Sequence, residues 1–551
     1  MRINSYVEYL LGMYGAMLSD IASNYPSLRN DTERDIERLR SCVEQSGIRF
    51  LMVSLPAVSK HLDRCLSTGC LTKSQVEFHS PFRRRGVIPR LFKGLYLRIF
   101  YEDGSLRSDF DAKAIFYLRN LLLLCKKFKI ACEDSDTFKS VEEFYETDRL
   151  CQLPTLNWDG DCLDSDRIGS VAFGDSPYDH CPLLDPIKGS SRSLPEHSRS
   201  GLAFTLQSVC DTISSELGWF DPTEWGLKHG PGAVSDLKEG SKYFFPSWSD
   251  RLEQVYPLSE FGFSNYGSWA AYCSGHISNP FRISGEEGVA KLIAVPKVLD
   301  KPRLIASEPV AHQWCQQSIL RFMTDSSRKT SIRYSLNFRS QVPNQEFAMR
   351  ASETMGHWTI DLSSASDRLS CWVVERAFRR NKTLLLALHA TRTRFLRNDI
   401  DKKSPRLYKL RKFSTMGSAC TFPVQTYVFA MIAVASVIFS RKLPISKQSI
   451  LSASREVRVF GDDIIVPSDS GQVTLDLLSA LGFKINDSKT FTEGQFRESC
   501  GVEAFSGTDV SRTSCTSVPT VSRPGSVAAS VDIHNNLFRK GFYGTAEFVK
   551  S

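Results

Sequence analysis

Two hydrophobic rhythms organise the chain. "AKAIFYLRNLLLLCKKFKIAC", Ala112 to Cys132, has apolar positions at helical spacing and basic residues near its end, which predicts a helix. Residues 1 to about 175 read as mostly helical on the same grounds. Residues 201–350 read as mixed helix and strand, and 351–505 alternate strand-like and helical patterns. Two polar stretches break the rhythm: "HCPLLDPIKGSSRSLPEHSRS" at 180–200 and "SRTSCTSVPTVSRPGSVAAS" at 511–530. Their Ser, Thr and Pro content predicts surface connections. The densest apolar run is Tyr427–Phe439. No charge occurs from Phe413 to Ser440, but Ser414, Thr415, Thr421, Pro423, Gln425 and Thr426 fill the first half. The apolar part is short for a membrane span and predicts a buried core helix.

Carboxylates interrupt the pattern in two places. "VRVFGDDIIV", Val457–Val466, reads as strand, tight turn, strand, with Gly461 and Asp462 in the turn. "HWTIDLSSASDRLSCWVVERAFRR" begins at His357 with a short strand that delivers Asp361 at its end. "SSASD" then offers Ser363, Ser364 or Ser366 as a helix cap, ahead of an apolar helix through Trp372, Val373 and Phe378. Burying adjacent carboxylates costs several kcal/mol unless something compensates them. If the hairpin pairs beside the "WTIDL" strand, Asp361, Asp462 and Asp463 converge. Such oxygen ligands suit Mg²⁺, and two ions roughly 3.5–4 Å apart stabilise the attacking and leaving oxygens of an in-line phosphoryl transfer.

Composition narrows the class without deciding it. The 551 residues are 42% hydrophobic and 24% charged, an ordinary globular balance. The net charge of +8 is compatible with nucleic-acid binding. The 15 cysteines are scattered, with no CxxC pair, and His61, Cys65 and Cys70 lack a second half-site. A reduced, intracellular protein is the expectation. At the N-terminus, Glu8 interrupts the apolar run that a signal peptide needs. "FRRRGVIPRLFKGLYLRIF", Phe82–Phe100, interleaves basic residues with Phe82, Phe92 and Tyr96 and contains no acid. Basic side chains track phosphates and aromatics stack on bases. Arg83, Arg84 and Arg85 are the candidate RNA contacts, although "LFKGLYLRIF" also fits half-buried core.

From Lys291 to Gly501 the order of these motifs resembles viral RNA-dependent RNA polymerases, and more narrowly the replicase catalytic subunit of the small positive-strand RNA bacteriophages, the leviviruses. The resemblance implies an α+β right-hand polymerase fold. "TIDLSSASD" resembles the first palm motif, with Asp361 on metal and Asp367 contacting the ribose 2′-hydroxyl or orienting its neighbours. A plain charge at a helix start is the competing reading for Asp367. "FSTMGSACTFPVQT" resembles the second motif, in which Gly417 and Ser418 form a flexible loop touching template and nucleotide. The family often has Asn at the position of Ser418. "VFGDDIIVPSD" resembles the third, with Phe460 where many relatives have Tyr. "LGFKINDSKTF" is similar to the fourth, making Lys489 the general acid for the departing pyrophosphate, with Lys484 as competitor. "FRESCG" resembles the fifth, and assigns Arg497 to RNA. "KLIAVPKVLDKPRLIASEP" resembles the fingers motif that meets the triphosphate through Lys297 and Arg303. "HGPGAV" at 229–234 and "SLNFRSQVPNQEFA" at 335–348 are softer likenesses.

The resemblance implies this division: 1–200, a helical extension and part of the fingers; 201–350, fingers; 351–505, palm; 506–551, a linker and the start of a thumb that is short or truncated. It implies two Mg²⁺ ions, replaceable by Mn²⁺. RNA template and product, NTPs, host translation elongation factors and an RNA-binding ribosomal protein are the implied partners, without a membrane, in the cytoplasm of an infected bacterium. Two rival readings are a reverse transcriptase and an inert RNA-binding protein of a replication complex. The small, polar "SSASD" favours ribonucleotides, and the intact carboxylate set argues against an inert protein.

Overall fold

The computed structural model describes residues 3–76, 80–174, 196–230, 232–237, 242, 243, 245, 247–263, 265–275, 287–520 and 524–551. The loop expected at 180–200 lies outside the described residues up to 195. From 196 onward it is helix.

Six helices open the chain: α1 (Ile3–Asn24), α2 (Arg29–Ser46), α3 (Leu55–Thr68), α4 (Lys93–Ile99), α5 (Ala112–Leu123) and α6 (Asp134–Arg149). Asp111 caps α5 by accepting from the Lys113 and Ala114 N–H groups, and α6 carries Asp134 and Asp136 in its first turn and Arg149 in its last. Then come α7 (Glu196–Glu216), the short α8 (Asp250–Glu253), α9 (Leu258–Phe261) and α10 (Tyr266–Cys273). Strands β1 (Val289–Val298) and β2 (Lys301–Ser307) lead to α11 (Val310–Ser326) and α12 (Val342–Thr354). β3 (His357–Ile360), β4 (Leu362–Ser363), α13 (Cys371–Phe378), α14 (Lys382–Thr391), β5 (Phe395–Arg397) and β6 (Leu407–Lys409) follow. The next elements are α15 (Thr421–Ser440), α16 (Lys447–Ser454), β7 (Arg458–Phe460), β8 (Asp463–Pro467), α17 (Ser468–Ala480) and β9 (Lys484–Ile485). The chain closes with β10 (Phe496–Ser499), β11 (Val502–Phe505), β12 (Thr508–Asp509), α18 (Pro524–Arg539) and α19 (Tyr543–Lys550). The class is mixed helix and sheet.

Sheet order is β2-β1-β5-β6, β3-β8-β7, β10-β11-β12 and β4-β9. The β3-β8-β7 sheet is antiparallel throughout, with β8 in the middle. Among the described helices, α15 alone is long and apolar enough to cross a membrane, and it is buried inside the protein. It is apolar on every side, as a helix surrounded by core must be. Several of its polar groups find partners, Tyr427 donating to the Met323 carbonyl at 2.9 Å and Ser436 to the Ile432 carbonyl at 2.8 Å, while Gln425 Oε1 and Ser440 Oγ are buried without one among the described residues.

Two large cores result. One surrounds α15 and runs from Leu156 to Phe483. The other joins Leu10–Phe128 to Phe491–Val549, so the two ends of the chain share one interior. This corrects the reading of 511–520 as a surface connection. Thr513 donates to Asn120 Oδ1 from its backbone at 2.7 Å and from its hydroxyl at 2.8 Å, and the Cys515 N–H donates to the Leu124 carbonyl at 2.8 Å. The stretch lies along α5, and its hydroxyls satisfy a buried backbone. Beyond it, α19 docks on α1. The Asp20 carboxylate accepts from the Gly544 and Thr545 N–H groups and the Thr545 hydroxyl, each at 2.8 Å. The Phe548 ring packs where a side chain on Gly12 would otherwise stand.

Candidate active site

The β7–β8 hairpin has a two-residue turn. Phe460 pairs with Asp463, leaving Gly461 and Asp462 between them. Gly461 has φ +63°, a left-handed conformation that glycine adopts without penalty. Its N–H donates to the Thr426 hydroxyl on α15 at 3.1 Å, and the Phe460 ring lies 4.9 Å from that of Phe422. The turn is therefore clamped to the core helix. On the other side of β8, Ile464 pairs with Ile360. Asp361 is the next residue along, so Asp361 and Asp463 stand at the same end of neighbouring strands.

The fourth-motif segment fixes Asp361 from behind. The Asn486 side chain donates to Asp361 Oδ2 at 2.5 Å and its backbone N–H to the Asp361 carbonyl at 2.9 Å. Three residues on, Lys489 Nζ donates to Glu498 Oε1 at 2.8 Å. The groups sense one another. Burial, then Asp462 and Asp361, push Asp463 up to about 7. Burial raises Asp361 to about 6, against the pull of Lys489 and with a further push from Asp462. Burial draws the Lys489 ammonium down, but Glu498 and Asp361 outweigh it and hold its pKa above the ordinary lysine value. Glu498 thus joins the site, a residue to which the motif "FRESCG" assigned no role.

A divalent cation fits this donor set by its chemistry: hard carboxylate oxygens whose mutual repulsion a positive charge relieves. Among the described residues, however, no three His, Cys, Asp or Glu side chains are drawn into one ready ligand shell.

The arm formed by β1 and β2 brings basic groups to the same region. Arg303 pairs with Val295, and both Lys297 and Arg303 are exposed. Partial desolvation, then Arg303 and Lys489, lower the Lys297 pKa, while Asp462 and Asp361 push it back. Lys297, Arg303 and Lys489 therefore share an electrostatic neighbourhood with Asp361 and Asp462. Lys484 lies on β9 opposite Ser363.

Gly417 and Ser418 precede α15 in a pinned loop. Gly417 has φ +146°, and any side chain there would overlap the Ala306 carbonyl oxygen at the end of β2. Ala306 in turn donates to the Met416 carbonyl at 2.7 Å. The loop is anchored in this conformation, against the expectation of flexibility. Ser418 Oγ accepts from the Cys420 N–H at 3.2 Å. Buried Glu308 ties the same two segments, accepting from the hydroxyls of Thr393 and Thr415 and from the Gln316 amide.

Asp367 departs from the expected helix start. It sits in a 3-10 turn, Ser366–Arg368, and the cap of α13 is Ser370, which accepts from the Val373 N–H. Ser364 has φ +54°, so the chain turns before the helix begins. Asp367 Oδ1 accepts from the buried Lys412 ammonium at 2.8 Å, a partner that sequence reasoning missed.

Arg497 also differs from expectation. It is fully buried, and its guanidinium donates to the carbonyls of His357, Glu493, Gly494 and Phe496. It braces β10 and has no surface to offer RNA. Arg83, Arg84 and Arg85 are exposed, with Arg83 paired to Glu102. Of the interleaved aromatics, Phe82 is exposed, while Phe92 and Tyr96 are core. In "HGPGAV", Pro231 lies outside the described residues. The half-buried His229 ring packs against Trp314 at 4.9 Å.

Comparison with known proteins gives a consistent result. The RNA replicase, beta-chain family matches residues 270–517. The RNA-directed RNA polymerase beta chain of Enterobacteria phage fr is 31% identical over 233 residues, 42% of this chain and 38% of that protein. The RNA-directed RNA polymerase subunit beta of Escherichia virus Qbeta is 33% identical over 236 residues, 42% of this chain and 36% of that protein. That of Enterobacteria phage SP is 30% identical over 266 residues, 48% and 42%. The chain covers between 34% and 42% of the length of the curated relatives it matches.

Proposed function

From the match of residues 270–517 to the RNA replicase beta-chain family, we propose that this chain is a template-directed RNA polymerase that replicates a positive-strand phage RNA from NTPs. The observation that carries the reading is the pairing of β3 with β8, which aligns Asp361 with the Gly461–Asp462 turn and Asp463. In this reading 351–505 form the palm, the β1–β2 arm belongs to fingers at 201–350, and α18 and α19 begin a thumb that leans on the N-terminal helices.

Asp361, Asp462 and Asp463 would hold Mg²⁺, or Mn²⁺ in its stead. The bound cations would supply activation of the primer 3′-hydroxyl and charge neutralisation at the triphosphate. The protein's own groups do the rest. Lys297 and Arg303 bind the triphosphate oxygens, Lys as a point charge and Arg through its planar fork. Asn486 orients Asp361. Lys489 holds a proton within reach of the leaving pyrophosphate and gives it up as charge develops there. Asp367 accepts from the ribose 2′-hydroxyl, and the pinned Gly417–Ser418 loop borders the base. RNA, NTPs, host elongation factors and an RNA-binding ribosomal protein are the partners of this reading, in an infected bacterial cell.

Asp462→Asn tests it. The variant keeps the turn and loses a charged ligand, so nucleotide incorporation on an RNA template falls to background while RNA binding by filter retention stays at the parent level. Near-parent incorporation would overturn the assignment. NTPs and dNTPs supplied side by side separate this reading from a reverse transcriptase.

A further inference from the structure

We propose that Lys412 is a positioning residue that presents Asp367 to the ribose of the incoming nucleotide and thereby sets the preference for ribonucleotides; this rests on the polymerase reading above. Lys412 is fully buried, and its ammonium lies 2.8 Å from Asp367 Oδ1 and 3.3 Å from the centroid of the Phe144 ring. A buried ammonium is costly unless paired, and a pair of apolar side chains in place of Lys412 and Asp367 would often fill the same space at no loss of stability. A buried cation at this point therefore calls for a role that packing alone does not supply.

The surroundings hold the pair in one geometry. Asp148, itself fully buried near the end of α6, accepts from the backbone N–H groups of Arg411 and Lys412 at 3.0–3.2 Å. The Phe413 N–H donates to the Leu369 carbonyl at 2.7 Å, and the Cys151 thiol lies 3.5 Å from the Asp367 carbonyl. Lys412 thus approaches Asp367 from a segment fastened at both ends. The ammonium occupies one carboxylate oxygen. The other takes no hydrogen bond from the described residues, and the Asp367 side chain keeps 11% of its surface exposed. A carboxylate with one oxygen held and the other free of hydrogen bonds from the described residues is an acceptor of fixed direction, and a 2′-hydroxyl is a donor that deoxynucleotides lack. Lys412 also leads directly into the Phe413–Ser418 loop, so one segment supports the ribose reader and the loop bordering the base.

The experiment compares single-nucleotide incorporation of GTP and dGTP by the parent, Lys412→Met, Lys412→Arg, Asp367→Asn and the Asp367→Asn/Lys412→Met double variant, with thermal melting of each. Lys412→Met is expected to lower the GTP-over-dGTP ratio of kcat/KM on the order of tenfold or more, chiefly through KM for GTP. Lys412→Arg keeps the cation and restores most of the ratio. The double variant, which leaves no unpaired buried charge and so guards against a folding defect, loses no more discrimination than Asp367→Asn alone. Parent-like discrimination in folded Lys412→Met, or independent additive losses in the double variant, would overturn this inference alone. A parent chain that incorporates neither nucleotide would overturn the polymerase reading and this inference with it.

Discussion

Lys489 and Glu498 hold each other at 2.8 Å, on opposite sides of the segment that carries Phe491 into contact with Thr359. Glu498 is the largest of the charges that raise the Lys489 pKa. Removing it lowers that pKa, so in Glu498→Gln the basic limb of the pH–rate profile for nucleotide incorporation moves to lower pH. Lys489→Met loses the rate and the limb together. An unmoved basic limb in Glu498→Gln would show that another group governs it.

The two glycines of the site predict a graded loss of stability. Gly417→Ala drives a methyl into the Ala306 carbonyl at a backbone conformation that L-residues avoid. A loss of about 3 kcal/mol or more is expected. Gly461→Ala meets Gln425 Nε2 at 3.2 Å and pays mainly for its φ of +63°, about 1–2 kcal/mol. Urea midpoints should rank parent, Gly461→Ala, Gly417→Ala, in falling order.

Two interior histidines predict acid lability. Burial, then Arg251 and Arg394, lower both His312 and His389 to about 3. Above pH 6.5 neither state carries the proton. Below it the unfolded chain binds protons that the folded chain refuses, so stability falls progressively towards pH 3. Asp361 and Asp463 act in the opposite sense: their raised values of about 6 and 7 make the folded state gain stability as pH falls from about 7 towards 4. Subtracting melting curves of His312→Gln and His389→Gln from the parent, without divalent cation, isolates the histidine part. Each variant should lose less stability than the parent between pH 6.5 and 4.

Arg84 and Arg85 are exposed and, unlike Arg83, have no ion-pair partner among the described residues. If they track RNA phosphates, Arg84→Ser/Arg85→Ser flattens the log–log salt dependence of single-stranded RNA binding by about 1.4. Arg497→Lys serves as the contrast. Its change should appear in the melting temperature, since the buried guanidinium braces four carbonyls, and the salt slope should stay at the parent value.

The parts of the site that sequence reveals are those coded locally. Two β-branched runs around Gly461 specify the hairpin, and the short "WTIDL" run delivers Asp361. Each signal lies within ten residues or so, where period and turn chemistry speak directly. What escapes is set by distant partners. The Ser/Thr-rich stretch at 511–520 has the composition of a surface linker, yet Thr513 meets Asn120 across a sequence separation of 393. Nothing in the residues around Lys412, "YKLRKF", says that its ammonium turns inward to Asp367. Arg497 carries the charge of an RNA contact, but strand β10 is covered on both faces, so alternation does not bring it out. Ser370 lost out as the predicted cap because the left-handed Ser364 inserts a separate turn ahead of the helix.

The docking of α19 on α1 also sets a timetable. During synthesis the first helices leave the ribosome with their apolar faces ready, but Phe491–Val549, which pack into that interior, are made much later. At about 5–20 residues per second the interval is roughly half a minute to two minutes. Throughout it Leu10, Tyr14, Met17 and Leu118 lack part of their packing, and closure must join segments far apart in sequence, the slowest kind of contact to find. The N-terminal helices are thus the region most in need of protection from aggregation while the rest of the molecule is being built.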